Sequence, residues 1–554
     1  MTAFDDVLKN AVGEFGVFQK RSCILFCLAN IVVAMNLIST VFIQADTDHW
    51  CKVPDSELWL ETCESLNISS NCVNTVRDLT IPKETLNDGC QASWKFSNCL
   101  RYENTALQAF NESSNNSTMT KHCDHGWEYD TSQYKSTVIQ EFDLVCDRSY
   151  LNALATSVHL AGSLTGNIIF GPLSDRIGRM KTFTICVAQL LISAILEATV
   201  PFFAVFIIFR YTAAMAHHGM HLTAFILLTE MVGPSKRGFV SGIFFVSFAL
   251  GYMALVVFAY FFRHWRHLML AMILPSALFF LYPWFLSESA RWLLAVGKTR
   301  QAETVMRRMA RVNGMTVSDD MFTALNGKAN DYVKKTTTKQ KSTSGTFDLF
   351  RYPNIRKKTI ISSFLWFSSS LTYYGLVLSA TSLAGNDYLN VVVAGAVEIP
   401  ATIVIMLLID TRLGRRFSFC GTSLLSGMVF ICIIVVPKCG DILWVNTVLN
   451  MVGKCTITAI YSLAYIYVAE LYPTEVRTVG VSFGSMVAMC GAVLSPQVLL
   501  ARKLWDPLPE VIFASIITIA GFLVLLLPET RGKKLIQTIE EGEDIGRKAH
   551  SDAV

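Results

Sequence analysis

Apolar residues along this chain gather into blocks of roughly twenty, about the number a helix needs to cross a membrane's hydrocarbon at 1.5 Å per residue. Blocks such as Leu151 to Phe170, Val240 to Phe262 and Val511 to Leu527 lack the apolar/polar alternation of a barrel strand. In lipid only a helix or a closed barrel satisfies its own backbone groups, so the pattern predicts helices. Twelve spans are expected, near 22–44, 151–170, 180–203, 206–231, 239–262, 268–286, 359–380, 388–409, 417–437, 442–468, 478–500 and 510–528.

The polar segments between them set the expected organisation. A short segment 1–21 precedes the first span, 22–44, which can itself serve as the insertion signal, so no cleavable leader is expected. Residues 45–149 form one long loop, 150–288 complete a first bundle, 289–358 link it to a second bundle at 359–530, and 531–554 form a tail. The linker carries 15 Lys/Arg against 5 Asp/Glu, and part of it, Gln301 to Val312, reads as a basic amphipathic helix. By the positive-inside rule the linker, the short basic loops and both termini face the cytoplasm.

The 45–149 loop then falls outside. It holds 17 Asp/Glu against 8 Lys/Arg, seven cysteines (Cys51, Cys63, Cys72, Cys90, Cys99, Cys123 and Cys146) and sequons at Asn67, Asn111, Asn115 and Asn116. Disulfides and sequon glycosylation both belong to the secretory lumen and cell surface, so thiols, sequons and charge agree on sidedness. Seven is odd, leaving one thiol free or paired elsewhere, for example with Cys439. The loop reads as a stapled, glycosylated cap. Charged residues make up only 16% of the chain and mean hydropathy is +0.41. A net charge of +4, scattered along the chain, gives no nucleic-acid surface. No phosphate-binding glycine loop, nucleophile–base set or metal cluster is evident, so neither an ATP-driven pump, an enzyme nor a bound cofactor is read.

A repeat carries the most information. Gly171-Pro-Leu-Ser-Asp-Arg-Ile-Gly-Arg179 follows the second span and Thr411-Arg-Leu-Gly-Arg-Arg416 the eighth. Glu230 and Arg237 close the fourth span as Glu470 and Arg477 close the tenth, while Ser287-Glu-Ser-Ala-Arg291 and Pro528-Glu-Thr-Arg531 end the sixth and twelfth. Matching positions are offset by 236, 240 and 241 residues, so one six-span unit is duplicated, as in rocking-bundle transporters. Asp175, Arg176, Arg179, Glu230, Arg237, Arg412, Glu470 and Arg477 are the expected gating charges. They are placed to pair across the halves in one state and separate in the other.

These motifs resemble a known family. Asp175-Arg-Ile-Gly-Arg179 is similar to the signature loop of the major facilitator superfamily, a twelve-helix, all-α membrane fold of two six-helix bundles. Glu470-Leu-Tyr-Pro-Thr-Glu-Val-Arg477, Glu288-Ser-Ala-Arg-Trp292 and Leu527-Pro-Glu-Thr-Arg-Gly532 resemble its organic ion transporter branch of cation, carnitine and anion carriers. Cys123-Asp-His-Gly-Trp-Glu-Tyr129, Glu141-Phe-Asp-Leu-Val-Cys-Asp-Arg148 and Val12-Gly-Glu-Phe-Gly-Val-Phe-Gln19 extend the likeness along the chain. The resemblance implies sodium-independent uniport or exchange of small organic ions at a plasma membrane.

Ionisable groups inside a span are costly and by default mark the pathway. Glu398, midway along the eighth span, and Lys454, midway along the tenth, differ in depth by roughly 6 Å at 1.5 Å per residue and are within mutual reach. Either they form a structural ion pair or they also meet solute. Trp366, Tyr373, Tyr374, Tyr461 and the adjacent Tyr465 add aromatic faces for flat rings and cations. His221 shares a face with His217, and cavity lining suits them better than metal binding because no carboxylate or cysteine completes a site. Where related cation carriers have an aspartate and anion carriers an arginine, this chain has Met489, which removes the simplest signal of substrate charge. The lean is to anions or zwitterions of nicotinate, urate or carnitine type. A cation carrier, or a receptor that binds without transporting, is the rival.

Overall fold

A computed structural model of the chain describes residues 8–52, 77, 80–87, 92–102, 119–315, 347–383, 385–408, 411, 413–437, 442–473, 476–531 and 539–544. The sequons, Cys63, Cys72, Cys90, Cys439 and Arg412 lie outside them.

The twelve predicted spans are helices. The first six are Val17–Ile43, interrupted at Ser39, then Tyr150–Ile177, Arg179–Thr199, Phe203–Met231, Arg237–Phe261 and Trp265–Phe285. The second six are Pro353–Leu378, Asp387–Leu408, Gly414–Val435, Leu443–Leu471, Arg477–Leu500 and Leu508–Leu523. Eleven are long and apolar enough to cross a membrane. The fourth falls short because Arg210, His217, His218 and His221 dilute it. Within the sixth, Leu274–Leu281 tightens to a 3₁₀ helix, because Pro275 has no N–H to bond back to the preceding turn. The seventh begins six residues before the apolar block, since its first turns carry Arg356, Lys357 and Lys358 and leave no hydropathy signal.

Two cores hold the two halves. One gathers side chains from the first six spans together with Leu8, Val12 and the short helices after the sixth. The other gathers the last six spans. Close approach inside the first half depends on Gly162 and Gly166 of the second span, where an added Cβ would run into the carbonyls of Tyr211 and Met215. The predicted basic helix is Thr299–Val312, and it docks on the first half through Ala302, Met306 and Met309. Asn313 fastens it by accepting from the Phe18 amide at 2.8 Å and donating to the Val12 carbonyl at 2.8 Å.

Among its described residues the long loop adds a feature the span pattern did not foretell, three antiparallel ribbons. β1 (His49–Cys51) pairs with β6 (Trp127–Tyr129), β2 (Lys83–Asn87) with β3 (Ala92–Phe96), and β4 (Leu100–Tyr102) with β5 (Thr120–His122). The disulfide Cys51–Cys123 ties β1 to the end of β5, and Cys99–Cys146 ties the start of β4 to the turn before the second span. Arg101 donates at 2.6 Å to Asp124, whose carboxyl is held below its usual range first by that bond and then by Lys121.

Candidate functional site

The repeated motifs meet at the end of the bundle opposite this loop. Gly178 and Gly414 both have positive φ, +113° and +69°, and form the tight turns into the third and ninth spans. A glutamate sits against each turn. Glu288 accepts from the backbone of Arg179 at 2.9 Å and Met180 at 3.1 Å; Glu529 accepts from Arg415 and Arg416, both at 3.0 Å. Each carboxylate satisfies the open N–H groups and positive pole of a helix start. Burial alone would raise the Glu529 carboxyl, yet amides of Arg531, Arg416, Arg415 and Thr530 hold it below its usual value.

The gating charges also follow the repeat. Arg179 reaches Asp175 at 2.8 Å and Glu230 at 3.4 Å, and Arg415 reaches Glu470 at 3.3 Å. These pairs run within each half, not across the interface as the sequence led us to expect, and Arg415, which was not singled out in sequence, reaches Glu470. Arg237 and Arg477 donate to carbonyls ending the preceding spans, those of Thr229 and Val232 and that of Tyr472, where a cation suits the negative pole. Arg176 is exposed.

At mid-depth Glu398 and Lys454 meet at 2.8 Å, 7% and 2% exposed. The Tyr373 hydroxyl donates to Glu398 at 2.7 Å, and its ring lies 3.4 Å beneath the Lys454 ammonium. Lys454 also reaches the hydroxyl of Tyr252 at 3.5 Å. Tyr252 belongs to the fifth span, in the opposite half, and sequence reasoning missed it because a tyrosine in an apolar block has no charge to single it out. Gly395 of the eighth span admits it, for a Cβ there would lie 2.7 Å from that of Tyr252.

A cavity of about 190 Å³ extends from this cluster toward the motif end, between the halves. Glu398, Tyr373, Tyr374, Tyr461, Tyr465 and Met489 line it from the second half, and His217, His218, His221, Phe245 and Phe248 from the first. Two expectations need correction. Trp366 is not among the lining residues; it is fully buried behind Tyr465, 4.3 Å between centroids, and against Gly484. Lys454 is likewise screened from the cavity, by Glu398 and Tyr373. The aromatic wall of the fifth span, and Val33 and Leu37 of the first, carried no mark in sequence beyond apolarity.

Toward the loop end a narrow void of about 10 Å³ shares Tyr252, Tyr373 and Tyr374 with the cluster and the cavity around it. It shares Thr40, Thr156 and Leu378 with a vestibule of about 380 Å³, which the Cys99–Cys146 staple, Asp46 and Lys503 help to line. Beside it lies a second buried pair missed in sequence, Glu197 with Arg210 at 3.2 Å, whose guanidinium also donates to Thr40.

Comparisons with known proteins identify the family and the fold. A family model described as "Sugar (and other) transporter" matches residues 103–541. An "Organic cation transporter protein" of Drosophila melanogaster is 36% identical over 98% of this chain and 95% of its own. "Solute carrier family 22 member 13" of Homo sapiens is 36% identical over 98% and 94%. A "Beta-alanine transporter" of Drosophila melanogaster is 34% identical over 98% and 89%. Among solved structures, the inward open xylose transporter XylE from E. coli superposes with a TM-score of 0.57 at 14% identity, over 94% of this chain and 99% of that one. Its fold is shared. The chain is a multi-pass membrane transporter that belongs to the major facilitator superfamily, in the solute carrier family 22 branch of organic ion transporters.

Proposed function

We propose that this chain carries small zwitterionic or anionic organic solutes across the plasma membrane by alternating access, as a uniporter or exchanger, with the motif end and both termini in the cytoplasm. The observation that carries the reading is the Glu398–Lys454 pair at the head of a cavity built from both halves. The two charges cancel, so the pair matches a solute bearing both signs better than a lone cation. A solute bearing both signs can present its cation to Glu398 and, as that carboxylate turns away from Lys454, its anion to the ammonium behind it, replacing one ion pair with two. That exchange leaves no buried charge unpaired, which is the costly outcome. Tyrosine faces on the same wall suit ammonium groups and flat rings. The relative named as a beta-alanine transporter is consistent with such a solute.

The described contacts between halves support an inward-opening point on that cycle. Ser157 donates to the Val493 carbonyl at 2.8 Å, Gln497 to Ser157 at 3.2 Å, and Tyr134 to Asp387 at 2.8 Å. All lie on the loop side of the Tyr252–Lys454 contact, while the cavity lies on the motif side. The state is closed outward and opens inward.

Uptake by expressing cells of a mixed panel tests the reading: a β-amino acid and a carnitine-type zwitterion, nicotinate and urate as anions, tetraethylammonium as a cation. Saturable uptake strongest for zwitterions or anions is expected. Uptake of tetraethylammonium alone assigns the rival cation specificity, and binding without uptake assigns a receptor.

A further inference from the structure

We propose that His221 takes up a proton together with the acidic group of the solute, so that carriage of carboxylates is linked to pH while carriage of simple cations is not. The inference rests on the carrier reading above and names a regulation of the same cavity.

The argument begins at Asn30 of the first span. Its amide nitrogen donates to the Phe244 carbonyl at 2.8 Å and to the Ser247 hydroxyl at 3.0 Å. A carbonyl can only accept, so the nitrogen end of the amide is fixed there, and the Ser247 proton is engaged on the same carbonyl at 2.7 Å. The amide oxygen of Asn30 therefore faces His221, 2.7 Å from Nδ1. That oxygen accepts, so Nδ1 must carry the proton. The neutral ring is left with a bare Nε2 on a side chain that lines the cavity. A neighbour thus sets the tautomer, as imidazoles require.

A bare Nε2 is an acceptor. It serves an ammonium or hydroxyl of a solute but repels a carboxylate. Once protonated it donates to the carboxylate, and Nδ1 keeps its bond to Asn30, so nothing behind the ring rearranges. The proton comes from water in the open cavity and leaves by the same route. Proton and carboxylate each favour the other's binding, which is thermodynamic linkage.

No nearby group performs this exchange instead. His218 and His217 share its span, their rings 5.9 Å from His221 and 6.3 Å from His218 respectively. His159 of the second span stacks behind His217, and Arg210 beyond is bound to Glu197. The first span brings Cys27 beside Ser247, and the fifth faces His221 with Phe244 and Phe248. Across the cavity stand the neutralised Glu398–Lys454 pair and Tyr374, Tyr461 and Tyr465. His217 also lines the cavity, with Nε2 3.4 Å from the Ser163 hydroxyl of the second span, but a hydroxyl either donates or accepts and so fixes no tautomer. Within this set His221 alone lines the cavity with one nitrogen held by an oxygen that can only accept.

The test is the ratio of nicotinate to tetraethylammonium uptake, measured from pH 8.0 to 5.5 in cells expressing the full chain; both probes keep their charge over that range. A solute carboxylate at Nε2 favours the protonated ring, so the wild-type ratio should rise roughly three- to tenfold as pH falls. His221→Gln keeps a donor for Asn30 without a titrating nitrogen, and its ratio should be flat. Asn30→Asp places a negative charge against Nδ1 and should move the whole profile to higher pH, which keeps the proposal testable if His221→Gln fails to reach the surface. The same pH dependence in wild type and His221→Gln overturns the proposal and leaves the carrier reading intact. Absence of saturable uptake of every panel member overturns that reading instead.

Discussion

Lys454 shows how closely structure and solute binding are tied at single residues. It is 2% exposed and bonded to Glu398, so Lys454→Ala leaves a buried carboxylate uncompensated, a loss of about 3–5 kcal/mol. Uptake should disappear in that variant, and surface abundance is the measurement that tells misfolding from a lost contact. The double change Glu398→Gln with Lys454→Met separates the two effects further, because it removes both charges and strands neither. Surface abundance near wild type with no uptake is expected from a pair that meets solute; recovered uptake would make the pair purely structural. Tyr373→Phe is the finer probe. It deletes one bond to a charged acceptor, worth about 1.5–3 kcal/mol, and should raise the KM for zwitterions roughly tenfold or more while leaving surface abundance alone.

Among the elements, the repeated glutamates explain a motif that sequence could locate but not interpret. Glu288 and Glu529 are caps on the third and ninth spans, each closing a turn at a positive-φ glycine. Loss of such a cap costs about 0.5–2 kcal/mol, so Glu529→Ala should lower the melting temperature of purified protein by one to a few degrees. Because the folded-state carboxyl of Glu529 lies below its ordinary value, the cap's contribution is present above about pH 4.3 and fades as pH falls through the lower folded value. Wild type should therefore lose heat stability on acidification more steeply than Glu529→Gln, read by thermal unfolding at pH 7 and pH 3.5. The spans were legible because twenty apolar residues in a row leave a helix no alternative in lipid. The Glu398–Lys454 contact was legible because depth along two helices can be counted from their ends. Trp366 misled, since an indole on a pocket-bearing span can as well turn to its own bundle, and here Gly484 gives it room. Tyr252 and the Arg415–Glu470 partnership were illegible for a different reason: they depend on which faces of two helices meet, and periodicity along one helix does not carry that.

At the scale of the whole molecule, the halves touch in a graded way along their interface. Polar ties between them include Ser157 with Val493 and Gln497 and Tyr134 with Asp387 at the loop end, and Tyr252 with Lys454 at mid-depth. The acid–base pairs at the other end, Arg179 with Glu230 and Arg415 with Glu470, bind each half to itself. Under the proposed rocking, parting the loop ends breaks these ties, while the motif pairs named here can stay within their own halves. The vestibule, the narrow void and the central cavity lie along one line through Tyr252 and Tyr373, so parting the loop ends of the second and eleventh spans would join them. Holding those two spans together must stop transport even though every cavity residue is intact. Ser157→Cys with Gln497→Cys, made in a background freed of the other unpaired cysteines, places two thiols where a hydrogen bond of 3.2 Å now joins the halves. A short bifunctional thiol reagent should abolish uptake in the double variant and in neither single variant, and a cleavable version should release the block on reduction. If the tethered protein still transported, the two halves would not be separating at this seam, and the solute would have to cross by a route other than the one through Tyr252 and Tyr373.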